Sequence, residues 1–151
     1  MQSSAWRICF LIGLAAPCVG ASPTLPARLY EVVAVTGMPH LEENLRYTVT
    51  RETRCLTDED LSSAFPILAH ASLAGCVLRP ESREGDTLSY RLVCEGGQGT
   101  TGNATWRLAE RTLHGMLHVK LGGKNMTFFQ RVTATALGEC SEAGHVRLEE
   151  R

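Results

Sequence analysis

Hydrophobic and polar residues alternate along most of the chain, which is typical of β-strands with one buried and one solvated face. Between Leu113 and Leu121 every second residue is leucine, glycine or valine, and the residues between them are His114, Met116, His118 and Lys120. The same period of two occurs in residues 30–36, 45–53, 88–94, 104–108 and 126–136. Glycine-rich turns separate several of these segments. The pattern predicts an all-β, β-rich fold: a curved antiparallel sheet or barrel-like meander of about seven strands.

One segment departs from this alternation and indicates a short helix. Thr57 suits the N-cap, Asp58 and Glu59 suit the positive end of a helix dipole, and Asp60 occupies the capping-box position. Pro66 should end or kink the helix. We expect the helix to pack against one end of the sheet, with a further strand after it.

The N-terminal segment has the parts of an export signal. Arg7 supplies the positive charge, residues 8–20 form an apolar run, and Val19-Gly20-Ala21 matches the cleavage pattern. The run is shorter than the roughly 20 apolar residues of a membrane span, and no second such run follows. Pro17 stands before Cys18, where a lipoprotein signal needs a small residue, so we expect no lipid anchor. The sequence predicts a cleaved signal peptide over residues 1–21 and a periplasmic or secreted protein.

The remaining part, about 130 residues, suits one domain. We predict a single β-rich domain over residues 22–140 and a flexible charged tail over residues 141–151. Without Arg7 the formal net charge changes from −1 to about −2. No basic excess is then available to neutralise phosphates, so we exclude nucleic acid as a partner. We expect a monomer without a cofactor.

Four cysteines lie beyond the signal: Cys55, Cys76, Cys94 and Cys140. An even number of cysteines in a small exported domain predicts two disulfides. Spacing does not give the connectivity, because four cysteines allow three pairings. We prefer Cys55 with Cys76 and Cys94 with Cys140, since the first pair would tie the helical segment to the next strand.

Several short segments resemble a family of small exported bacterial proteins known as domain of unknown function 3617. The resemblance extends over nearly the whole chain after the signal. The matching segments are Leu29-Tyr30-Glu31-Val32, Arg54-Cys55-Leu56-Thr57, Gly75-Cys76, Tyr90-Arg91-Leu92-Val93-Cys94, Gly122-Gly123-Lys124-Asn125-Met126-Thr127 and Leu137-Gly138-Glu139-Cys140. The chain departs from the family at Ala136-Leu137, where an arginine is common. The resemblance implies an exported β-rich domain and brings no established activity.

The strongest candidate for metal chemistry is His114-Gly115-Met116-Leu117-His118. Strand residues two apart point the same way and lie about 6.6 Å apart, so a neighbouring His–Met pair could reach a soft metal such as Cu(I). His114 and His118 would be about 13 Å apart on a regular strand. A bulge at Gly115 would bring them closer. The alternative is that these side chains cover the solvated face of a strand.

An apolar ligand is a second possibility, because the inner face of a small barrel can line a cavity. The aromatic residues predicted to project from the inner faces are Tyr30, Tyr47, Tyr90, Trp106 and Phe128. No catalytic motif is found, so we predict a non-enzymatic accessory or binding module that serves an unknown periplasmic protein or a small ligand. The alternatives are a copper-binding protein that uses His114, Met116 and His118, and a carrier of a small apolar molecule.

Overall fold

Seven antiparallel strands form one sheet in the structure, a computed structural model that describes residues 25–39, 47–96, 99–122 and 126–140. The strands are β1 Arg28–Gly37, β2 Tyr47–Leu56, β3 Cys76–Glu84, β4 Thr87–Cys94, β5 Thr101–Leu108, β6 Thr112–Leu121 and β7 Met126–Glu139. The prediction of a seven-stranded antiparallel sheet is confirmed. The predicted signal peptide and charged tail lie outside the described residues.

The strands follow one another across the sheet in the order β2-β1-β7-β6-β5-β4-β3. Each neighbouring pair is antiparallel, and β2 and β3 are the two unpaired edges, so the sheet is not closed into a barrel. Strand alternation gives it an inner face with the buried residues and an outer face with the exposed ones. In β6, for example, Leu113, Leu117 and Val119 are buried on the inner face. No described helix has the length and apolar character to cross a membrane.

The predicted helix is instead three 3₁₀ turns, Glu59–Ser63, Pro66–Ala69 and Ala71–Leu73, within residues 57–75, which we call the 3₁₀ connection. Half of the capping box forms, because the Asp60 carboxylate accepts hydrogen bonds from the Thr57 N–H at 2.8 Å and the Thr57 hydroxyl at 2.7 Å. The N-cap of the first turn is Asp58 rather than Thr57, and its side chain makes no capping hydrogen bond. Phe65 is held extended before Pro66, at φ −98° and ψ 104°. A residue before proline avoids the helical region, which ends the first turn early.

The 3₁₀ connection lies on the inner face of the sheet rather than against its end. It contributes Leu61, Ala64, Phe65 and Leu73 to the core, each at most 1% exposed. Phe65 packs on Trp106 with ring centroids 5.1 Å apart, and the Trp106 indole N–H donates to the Leu61 carbonyl at 3.0 Å. The chain between the edge strands β2 and β3 thus runs over this face.

Trp106 also depends on the glycine opposite to it in β6. Trp106 pairs with Gly115, and a Cβ atom on Gly115 would lie 2.8 Å from the Trp106 ring. The register of β6 runs without a shift on both sides, so the bulge considered at Gly115 does not form. Gly115 is therefore needed for space in the core and not for a bend in the strand.

The two disulfides join Cys55 to Cys140 and Cys76 to Cys94, so the preferred pairing was wrong. Strand register is the reason. Cys76 lies directly opposite Cys94 in the β3–β4 hairpin. Cys55 lies opposite Leu29, which also faces Gly138 of β7, so the end of β7 reaches Cys55 across the first residues of β1.

We predict that Gly115→Ala lowers the free energy of unfolding by about 1–3 kcal/mol, because the added methyl group overpacks Trp106. Urea unfolding followed by fluorescence measures this change. Gly138→Ala is the matched control, since a Cβ there meets nothing within 4 Å, and it should leave the midpoint unchanged. Equal midpoints for the two variants would contradict the packing argument.

Candidate binding groove

A groove of about 530 Å³ lies where the two edges of the sheet approach each other. Glu52 and Arg54 of β2 form one wall, and Cys76, Val77 and Leu78 of β3 form the other. The floor consists of residues of the 3₁₀ connection, namely Ser62, Ser63, Phe65, Pro66, Leu68 and Ala69. We call this the edge groove. Its volume falls in the range of about 300–1,000 Å³ that is typical of ligand pockets.

Strand register places the two charged residues of the edge groove. Glu52 and Arg54 lie opposite Val32 and Tyr30, which are buried, so all four side chains point to the inner face. The two charged groups are 3.5 Å apart and partly exposed. An exposed ion pair of this kind contributes at most about 1 kcal/mol to stability. Its effect is to give the mouth of an apolar groove a polar rim without net charge.

Hydrogen bonds to the sheet hold the floor of the groove. Besides the Trp106 bond to Leu61, the Ile67 N–H donates to the Gln130 side-chain oxygen at 3.1 Å. The Gln130 amide nitrogen donates to the Thr36 hydroxyl at 2.7 Å. Gln130 and Thr36 are buried at 2% and 7% exposure. A buried amide stays stable only when its polar atoms are paired, so Gln130 fixes the position of Ile67.

An ion pair ties the start of the 3₁₀ connection to β3. A register shift between Pro80 and Ser82 places Arg83 opposite the buried Leu88, and Arg83 then donates to Asp58 at 2.9 Å. Tyr90 lies close to this pair. Burial raises the pKa of the Tyr90 hydroxyl, and the Asp58 carboxylate raises it further, while Arg83 acts in the opposite direction.

The predicted metal ligands lie on the outer face, away from the edge groove. His114 and His118 are exposed and Met116 is partly buried, in regular register with both neighbouring strands. Arg131 lies directly opposite Met116, where side chains are close neighbours. A guanidinium at this position opposes a bound cation. No group of three or more His, Cys, Asp or Glu side chains suited to a metal occurs in the described part of the chain.

Four of the five aromatic residues predicted on the inner face are in the core: Tyr30, Tyr90, Trp106 and Phe128. The 3₁₀ connection fills the space in front of Trp106. Tyr47 is different, because its side chain is 56% exposed. Tyr47 lies opposite Gly37. Gly37 is two positions from Val35 and therefore on the same outer face, so Tyr47 is on the outer face too. The inner-face placement of Tyr47 was wrong because the alternation of β2 does not show which face is buried.

The sequence predictions did not include the edge groove. Its walls and floor come from β2, β3 and the 3₁₀ connection, and these meet only when the sheet curls. Gln130 did leave a signal, since it interrupts the apolar face of β7. A polar residue at an inward position predicts a buried hydrogen-bond network. The structure explains Gln130 in this way, because its side-chain oxygen accepts the hydrogen bond from the Ile67 N–H.

Comparison with known proteins gives one match. A family model described as "Protein of unknown function (DUF3617)" matches residues 23–140. No curated protein and no solved structure matches the chain.

We predict that Gln130→Leu lowers the free energy of unfolding by about 1–3 kcal/mol, because the Ile67 N–H loses its acceptor. The floor of the groove should loosen, and the emission of Trp106 should shift to longer wavelength. Thr36→Val removes only the second bond of Gln130, so it should destabilise without shifting the emission. An unchanged emission in both variants would show that Gln130 does not hold the 3₁₀ connection.

Proposed function

The chain belongs to this family of proteins of unknown function, DUF3617, and we propose that it is an exported, non-catalytic binding module whose ligand site is the edge groove. The observation that carries the proposal is a groove of ligand size between two unpaired sheet edges. Apolar residues and two serines form its floor, and Glu52 and Arg54 pair with each other at the rim. Such a surface is suited to bind an apolar or mixed ligand and to release it unchanged.

Export is the part of this proposal that explains the cysteines. All four cysteines after the predicted signal are in disulfides, which persist in oxidising compartments. The apolar segment before residue 22 has the features of a signal peptide. Together these features favour a protein that works in the periplasm or outside the cell.

A small apolar molecule is a second candidate ligand, and the floor of the edge groove favours it. Pro66 and Leu68 present partly exposed apolar surface there, whereas Phe65 and Leu78 are buried. The core itself is filled by the 3₁₀ connection, so this ligand would lie between the edges of the sheet. In this respect the proposal differs from a carrier with a central cavity.

We predict that 8-anilinonaphthalene-1-sulfonate, a lipophilic fluorescent probe, binds in the edge groove of the mature protein. Ala69→Trp fills the groove with a bulky side chain and should weaken probe binding at least tenfold in a fluorescence titration. Ala109→Trp is the matched control, because Ala109 is also exposed but does not line the groove. Absence of probe binding, or equal binding by the two variants, would contradict the proposed site.

We also predict that the protein isolated from the cell envelope begins near Ser22 and carries both disulfides. Intact-mass analysis after alkylation should find no modified thiol until a reductant is added. Reduction should then expose four thiols. Recovery of the full chain from the cytoplasm with all six of its cysteines alkylated would contradict export.

A further inference from the structure

The direction of the strands restricts what can occupy the edge groove. All six neighbouring pairs of the sheet are antiparallel, so direction alternates from β2 at one edge to β3 at the other. With seven strands the first and the last run the same way. The two edges that line the groove therefore run in the same sense, so a single added strand would be antiparallel to both.

From this geometry we propose that the ligand of the edge groove is an extended segment of a partner polypeptide that runs antiparallel to both β2 and β3. The inference rests on the proposed binding function and specifies its ligand. Main-chain hydrogen bonds to an exposed sheet edge are a common way to bind an extended peptide. Antiparallel pairing is the more stable arrangement per residue, and it is available to such a segment at both edges.

Strand β2 provides most of the pairing. It forms ten consecutive pairs with β1 without a register shift, and residues 47–53 are exposed on both faces. Sheets normally protect their edges with proline, bulges or charges. β3 has Pro80 and a bulge after it, whereas β2 has neither, and its residues 47–50 are uncharged. The open edge for strand addition is therefore the first half of β2.

The groove fixes the position of the segment along this edge. Only the second half of β2, at Glu52 and Arg54, shares the groove with β3, at residues 76–78. A segment antiparallel to β2 brings its N-terminal part there and its C-terminal part to Tyr47. Its N-terminal part should carry apolar residues at alternate positions, which would face Pro66 and Leu68.

Other occupants would form hydrogen bonds with fewer of the backbone groups at the two sheet edges. In a second copy of the protein, β2 is already paired with its own β1, so it can extend the sheet but cannot enter between two edges. A small apolar molecule fills the floor of the groove and leaves the outward backbone groups of β2 without a protein partner. An extended peptide has backbone hydrogen-bonding groups along both of its sides, so it can pair with β2 and with β3 at the same time.

The test uses decapeptides selected from a displayed random library on the mature protein. For the tightest peptide, amide hydrogen exchange should slow in residues 47–54 and at residues 76–78, and not in β5 or β6. A photo-crosslinker at the peptide N-terminus should react with residues 62–69 or 76–78, and one at the C-terminus with residues 47–50. Crosslinks of the opposite polarity, or protection elsewhere, would overturn the proposal.

Two variants separate edge pairing from filling of the groove. Val49→Lys places a charge on the open edge and should weaken peptide binding at least tenfold while 8-anilinonaphthalene-1-sulfonate still binds. Thr105→Lys is the control at an exposed position of β5, away from both edges, and it should bind the peptide like the unchanged protein. If the probe binds and no peptide protects β2, the strand proposal fails while the proposed function stands. Protection of β2 only by self-association, seen as a dimer on gel filtration, would also overturn it.

Discussion

The packing of the 3₁₀ connection on Trp106 is the interaction on which the rest of the structure depends. The connection starts at one edge of the sheet, ends at the other, and lies on the inner face between them. Trp106 holds it there through the Phe65 ring and the Leu61 carbonyl. The same contact fills the space in front of Trp106, and the edge groove lies beside it, between the two edges of the sheet.

The disulfides secure the parts of the sheet that lack a second neighbouring strand. Cys55–Cys140 fastens the end of β2 to the end of β7, and Cys76–Cys94 fastens β3 to β4. The sequence separations are 85 and 18 residues. In the chain-entropy model the longer loop contributes about 4–5 kcal/mol and the shorter about 3 kcal/mol. Both edges can thus stay unpaired, and open to a ligand, without fraying from the sheet.

The unpaired edge strands also connect the fold to the proposed function. A closed barrel would have no free backbone groups, and a sheet with protected edges would not accept a strand. Here β3 is protected by Pro80 and its bulge, while β2 is regular and exposed. Because the number of strands is odd, the two edge strands run in the same sense. We infer from this combination that the site binds its ligand mainly through main-chain hydrogen bonds and that side-chain contacts contribute less.

The sequence by itself determined the strands and, except in β2, their inner faces, because alternation is a local property with a period of two. Short motifs indicated the family. The sequence also marked the start of the connection at Thr57 and Asp60. Tertiary structure decided the disulfide pairing, the exposed position of Tyr47, the role of Gly115 opposite Trp106 and the edge groove. Each of these depends on which strands are neighbours and in which register. Residues distant in the sequence set that arrangement, and spacing along the chain carries no record of it.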